Sequence, residues 1–307
     1  MRVMLSCITL CFMLLFPLTP GAANGEQDRQ PDRELLFLQE DLDSGFAQMD
    51  QALNREEDLS PEEIYYLGRA VAANILEYYT PYRQNPALTD YLNQICGALV
   101  LNSSKPVIFN GYHVLILDSP EINAFATSGG HIFVTLGMVG AADSEDALAA
   151  VIAHEIAHIH LDHGVELIQN MRLTQDLSAF GDRAAGIAGR GASLEARRNR
   201  FAGEVRAMVN ALVVEGYTQA QEFEADSQAL ALLAAAGYNP ASLIEVLQVL
   251  ETKQGSHPGG FNKTHPAPAL RIAHVEGSLG NYPVSDTRTF RLPRYIQHTE
   301  GVILKNP

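Results

Sequence analysis

Apolar residues recur at helical spacing along most of this 307-residue chain, with one interruption near its middle. Residues 24–34 are polar, and Glu34–Leu53 then follows the helical period. Ser60-Pro61-Glu62-Glu63 is a helix start. Ser serves as N-cap, Pro takes the first helical position, and the Glu at the third can reach back to the cap. The pattern predicts a helix from there to about Tyr79, where Thr80-Pro81 stops it, and another over Ala87–Leu101.

Then the period changes. Val107-Ile108-Phe109 and His113–Leu117 are rich in β-branched and aromatic residues, with Asn110-Gly111 between them, and read as a hairpin. Asn123–Thr127 and His131–Thr135 read as two further strands around Gly129-Gly130. Asp143-Ser144-Glu145-Asp146 opens the next helix with capping residues and acidic charge in the first turn. Leu148, Val151, Ile152 and Ile159 are its apolar positions, and Gly164 is the expected stop. Residues 165–215 have little periodicity. They read either as a loop followed by a solvated helix or as a lid over a site. Tyr217–Ala236 is a predicted helix ended by Gly237, followed by helices over 241–251 and 269–279 with a Gly/Pro/His loop between them. From Asn281 the pattern assigns nothing. The expectation is an α+β chain, mostly helical, with a small sheet.

Composition alters this picture at the start of the chain. Met1-Arg2 precedes a nearly unbroken apolar run, Val3–Phe16, and Gly21-Ala22-Ala23 follows as an A-x-A-like site. These features predict a secretory signal peptide, 1–23, cleaved after Ala23. The run is short for a membrane span, which needs about 20 residues. Cys7 and Cys11 would leave with it. Cys96 then remains at an apolar helical position, a buried inert thiol rather than a nucleophile. The formal charge of −15 argues against nucleic acid as a partner.

The candidate chemistry lies in His154-Glu155-Ile156-Ala157-His158. Residues four apart share a helix face, so both imidazoles can grip one zinc ion. Glu155 is placed to take a proton from a water at that ion. One alternative class would put Gly at 161 and His at 164; Leu161 and Gly164 stand there instead. A Glu on a later helix is the other common third ligand. Glu222 and Asp226, four apart in Glu222-Phe223-Glu224-Ala225-Asp226, supply a ligand and a carboxylate to hold a ligand imidazole from behind. Glu224 is the rival third ligand, otherwise a solvated charge.

With these elements the chain resembles the HtpX-like and CAAX-prenyl-protease-like zinc metallopeptidases. The resemblance rests on Asn123-Ala124-Phe125-Ala126 with Gly129-Gly130-His131-Ile132-Phe133-Val134, on the His154–His158 motif, on Glu222–Asp226, and on Thr264-His265-Pro266 with Arg271. It implies a zincin-like (gluzincin) fold with the sheet packed beside the active-site helices. It also implies one Zn2+ per chain held by His154, His158 and Glu222, with Glu155 as general base. His265 and Arg271 are implied near the site. His265 would stabilise the oxyanion or close the resting zinc, and Arg271 would bind substrate carbonyls or pair with an acidic residue. Peptidases of this type hold substrate extended along a sheet edge. His131, Ile132, Phe133 and Val134 are the candidate edge. His160 and His163 lie on the same helix beyond the motif, their spacing does not put both on the metal face, and they read as structural or solvated, as do His131, His113, His257 and His274 by default.

The expected organisation is a signal peptide, a metallopeptidase domain over 24–280, and a tail over 281–307 without room for a helical-repeat module. The resemblance is closest to soluble periplasmic members. It implies an endopeptidase acting on unfolded or misassembled envelope proteins, with peripheral contact to the outer membrane or its assembly machinery. A chaperone-like assembly factor with a latent protease site is the alternative. A zinc hydrolase of a non-protein amide is a third reading.

Overall fold

The computed structural model describes residues 59–167, 169, 202–203, 205–207, 209–210, 216–253, 265, 267–283 and 287–303. The signal peptide expected over 1–23, the helix expected over 34–53 and most of 165–215 lie outside the described residues.

Helix α1, Pro61–Tyr78, begins with the capping box expected at Ser60: Glu63 N–H donates to Ser60 Oγ and Ser60 N–H to Glu63 Oε2. Helix α2 is Pro86–Leu101. Strands β1 His113–Leu117, β2 Ala124–Thr127 and β3 His131–Thr135 follow. A short helix, α3 Leu136–Ala141, leads into α4, Glu145–His160, capped by Ser144. Beyond it lie α5 Gln219–Ala235, α6 Ser242–Lys253, α7 Pro268–Leu279 and α8 Arg288–Ile303. The fold is mostly helical with a small sheet, as expected.

The sheet order is β1-β3-β2. β3 pairs in parallel with β1 and antiparallel with β2. Two expectations fail here. The hairpin does not form: Val107 is 86% exposed, no strand covers 107–109, and the partner of β1 is β3. His131–Val134 is not an edge either, because both of its backbone sides are already bonded to neighbouring strands. β1 and β2 are the edge strands. The outer side of β1 is covered. Asn93 bonds both the N–H and the C=O of Val114, and Tyr82 N–H donates to Ile116 O. That leaves β2 as the edge facing the helices.

α1 rests on the turn between β2 and β3. A Cβ on Gly68 would come within 1.3 Å of Ser128 O, and one on Gly129, which sits at φ 94°, within 2.7 Å of Tyr65 Cα. No rotamer change relieves a clash with backbone. Gly68→Ala is therefore expected to destabilise the protein by at least about 3 kcal/mol, the upper part of the range for overpacking. Thermal unfolding should register this as a lowered midpoint, and an unchanged midpoint would contradict the close approach.

Every residue of α4 is buried. Such a helix needs neighbours on all sides, and α5, α6, α2 and β2 provide them. Its first turn buries two carboxylates, Glu145 and Asp146. Tyr91 and Tyr238 hydroxyls donate to Glu145, as does the Arg294 guanidinium. Arg291 donates to Asp146 at 3.0 and 3.2 Å, and Asn239 N–H donates at 3.0 Å. Arg291 also lies over the Tyr238 ring at 4.3 Å. Both arginines belong to α8, so the stretch from Asn281 that the pattern left unassigned includes a helix tied to the start of α4.

Candidate metal centre

α4 presents His154 and His158 one turn apart, and α5 presents Glu222 and Asp226 in the same way. The two helices pack against each other, so the pairs meet. His265 and Arg271, the latter on α7, complete the cluster. Donor atoms of His154, His158, Glu222 and His265 all lie within 4.8 Å of one another. His154 Nε2 is 3.1 Å from His158 Nε2, and each is 3.4 Å from an oxygen of Glu222. His265 Nδ1 is 2.7 Å from Glu222 Oε1. Four ligands around a tetrahedral zinc at 2.0–2.1 Å stand roughly 3.3 Å apart. The spacing and the nitrogen-and-carboxylate donor set both fit that ion.

The surroundings favour positive charge at the centre. His154 Nδ1 lies 3.0 Å from Asp226 Oδ1, so Nδ1–H donates there and Nε2 faces Glu222. Burial and Arg271 act to lower the His154 pKa, but Asp226 and Glu222 outweigh them and push it up to about 9. Burial raises Glu222 as well, yet His265 and the Arg271 guanidinium hold it well below the usual carboxylate range. His158 is pushed down to about 3, chiefly by burial.

Glu155 differs from these carboxylates. It is 1% exposed, and its Oε1 has no hydrogen-bond partner among the described residues. Burial pushes its pKa up to about 7. A buried oxygen left open beside a cation site suits a group that receives a proton.

Arg271 is fully buried. It donates through Nε and Nη2 to Asp226 at 2.8 and 2.6 Å, and its Nη1 lies 3.2 Å from Glu222 Oε2. The acidic-pair alternative therefore describes it, and contact with substrate carbonyls does not: its guanidinium is enclosed behind the donors.

His131 stands apart, stacked on Tyr65 with ring centroids 5.4 Å apart. His160 meets the Tyr112 hydroxyl, His113 meets Asn110 O, and His274 meets Ser227 and Phe223 O. These four match the structural default. His257 lies outside the described residues. His163, given the same default, is different: its Nδ1 is 2.9 Å from His158 Nδ1. Tyr217, which the sequence reading assigned no role, stacks on the His158 ring at 4.1 Å and 15°. The cue for His163 was Asp162. α4 ends at His160, and Asp162 turns the chain at φ 56°. Asp tolerates that conformation better than most residues, and the turn folds His163 back under His158.

A cleft of about 520 Å³ opens beside His158 and runs along Ala126–Gly129, with apolar walls from Ile64, Ile108 and Phe109.

The profile of peptidase family M48 matches residues 86–279. The beta-barrel assembly-enhancing protease of Escherichia coli is 28% identical over 198 residues, covering 63% of this chain and 39% of that protein. The chain thus spans about two fifths of that relative's length. The metalloprotease LoiP of Escherichia coli is 29% identical over 198 residues, covering 63% and 73%. The mitochondrial metalloendopeptidase OMA1 of Schizosaccharomyces pombe is 27% identical over 190 residues, covering 61% and 52%.

Proposed function

Because the chain belongs to peptidase family M48, we propose that it is a zinc-dependent endopeptidase of the periplasm, cleaving unfolded or misassembled envelope proteins. One observation carries this reading: an unpartnered, buried Glu155 oxygen beside four convergent donors.

His154, His158 and Glu222 would hold one zinc ion per chain. Zinc there would supply Lewis acidity, bringing the first pKa of a water close to 7. Glu155 would take a proton from the attacking water and return it to the leaving nitrogen. Asp226 fixes the His154 ring and tautomer, and Arg271 holds Asp226 and Glu222 in place.

β2 replaces β3 as the substrate edge. An extended peptide in the cleft along Ala126–Gly129 would pair with its outer side through backbone groups alone, which demands little of sequence. The apolar cleft beside β2 accepts side chains that folded proteins keep inside. That combination favours unfolded chains as substrates. The name of the Escherichia coli relative refers to β-barrel assembly, and the signal-like N-terminus supports the same compartment. No described helix is long and apolar enough to cross a membrane. Contact with the outer membrane or its assembly machinery would be peripheral.

A latent state, as a chaperone-like factor would need, has one observation in its favour: His265 is a fourth donor in the cluster. His265→Ala should raise peptidase activity if His265 closes the resting site, and lower it if His265 stabilises the oxyanion.

Metal analysis tests the proposal most directly. The purified protein should hold about one zinc per chain, and Glu222→Ala should lose it. Unchanged zinc in that variant would reject Glu222 as a ligand, and a wild-type protein without zinc would reject the whole reading.

A further inference from the structure

We propose that His163 and Glu224 form a positioning relay that orients His158 toward the metal. The inference rests on the metal reading of the donor cluster and assigns two residues which that reading leaves idle.

The two metal-facing imidazoles need the same thing. With Nε2 turned to the ion, Nδ1 carries the proton and must find an acceptor. For His154 the acceptor is the Asp226 carboxylate at 3.0 Å. For His158 the atom at Nδ1 is His163 Nδ1, 2.9 Å away. An imidazole accepts at Nδ1 only when its proton is on Nε2. His163 Nε2 lies 3.4 Å from Glu224 Oε2, which is the acceptor that tautomer requires. The chain of donation therefore has one direction: His158 to His163 to Glu224.

The surroundings fit this assignment. His163 is 2% exposed in its side chain, while that of Glu224 is 64% exposed, so the relay ends at the surface. Glu222, Glu224 and Asp226 lie on the same helix and serve three ends of one cluster: the ion, His163 and His154. Tyr217 stacks on His158 and contacts His163, with ring centroids 5.7 Å apart in the latter pair. The His158 ring is thus held from its face by one residue and from its far nitrogen by another.

The test measures zinc affinity by competition with a chromophoric chelator, on purified full chain, together with the unfolding midpoint of the metal-free protein. His163→Phe keeps a ring and removes the acceptor. It is expected to weaken zinc binding by about 10- to 100-fold, the usual effect of losing such a partner. His163→Gln, whose amide oxygen can accept from His158 and whose NH2 can donate to Glu224, should recover most of that loss. Glu224→Ala should weaken binding less, by about threefold. The double variant with His163→Phe should bind as His163→Phe does, because the outer group acts only through the inner one. Wild-type affinity in His163→Phe overturns the relay. So does a His163→Gln variant as weak as His163→Phe, or a double variant in which the two losses multiply. If His163→Phe does not fold, Glu224→Ala decides, since its side chain is exposed: unchanged affinity there also overturns the proposal. Failure of the wild type to bind zinc would instead defeat the peptidase reading itself.

Discussion

Glu155→Gln is expected to lower cleavage of unfolded casein by about 10²- to 10⁴-fold, the range for losing a general base, while zinc content and fold stay unchanged. The substitution preserves shape and removes only the capacity to take a proton. Glu155 stands outside the set of donor atoms, and its open oxygen makes no bond that the amide would lose. The pH profile provides a second check. Burial pushes the Glu155 pKa up to about 7 in the metal-free protein, and a cation among the donors would draw it lower. A base works only when deprotonated, so activity should fall as pH drops through that lowered value. The residual activity of Glu155→Gln should have no such acid limb. Undiminished casein cleavage by the variant would sink the mechanism. Rescue of an envelope defect by the same inactive variant would favour the assembly-factor reading.

The second large effect concerns stability. Replacing Arg291 and Arg294 together by Met should cost about 3–5 kcal/mol, because it leaves two buried carboxylates without their charge partners. Glu145 and Asp146 are 2% and 0% exposed. For Glu145 burial raises the pKa, but hydrogen bonds from Arg294, Tyr91 and Tyr238 outweigh it, and the net shift is downward. A carboxyl held low in the folded state contributes stability above its unfolded pKa. That contribution disappears as pH falls through the folded value. The gap between wild type and variant should therefore be full at neutral pH and close in acid. Urea unfolding at two pH values measures this. A neutral-pH loss below about 1 kcal/mol would mean that water, rather than α8, satisfies those carboxylates.

Local signals in the sequence identified much of this architecture. The capping box at Ser60, the acidic start of α4 and the four-residue spacings of His154–His158 and Glu222–Asp226 each act within one or two helical turns, so they can be read without knowing the partner. Strand order has no such signal. Ile132-Phe133-Val134 is apolar on both faces, which marks a strand covered on both faces but does not separate a centre from an edge: Ala124–Thr127 is buried throughout as well and stands at an edge. The expected hairpin failed for a similar reason: Asn110-Gly111 suits a tight turn, but nothing local reveals that β1 pairs with β3 instead. α8 was illegible because Arg291 and Arg294 are explained by carboxylates far away in sequence. The contact of His163 with His158 was not legible because helical arithmetic assumes that the helix continues, and α4 ends at His160.

The link between α8 and α4 also bears on the order in which the chain is made. Arg291 follows its partner Asp146 by 145 residues, and Arg294 follows Glu145 by 149. At the usual pace of synthesis that gap lasts on the order of ten seconds. Throughout it the first turn of the helix carrying His154 and His158 lacks both arginines and has only Tyr91, Tyr238 and Asn239 as partners. A ribosome-bound chain therefore holds the residues of a peptidase without the arginines that pair with the start of their helix. Emergence of α8 is the event that ends this interval.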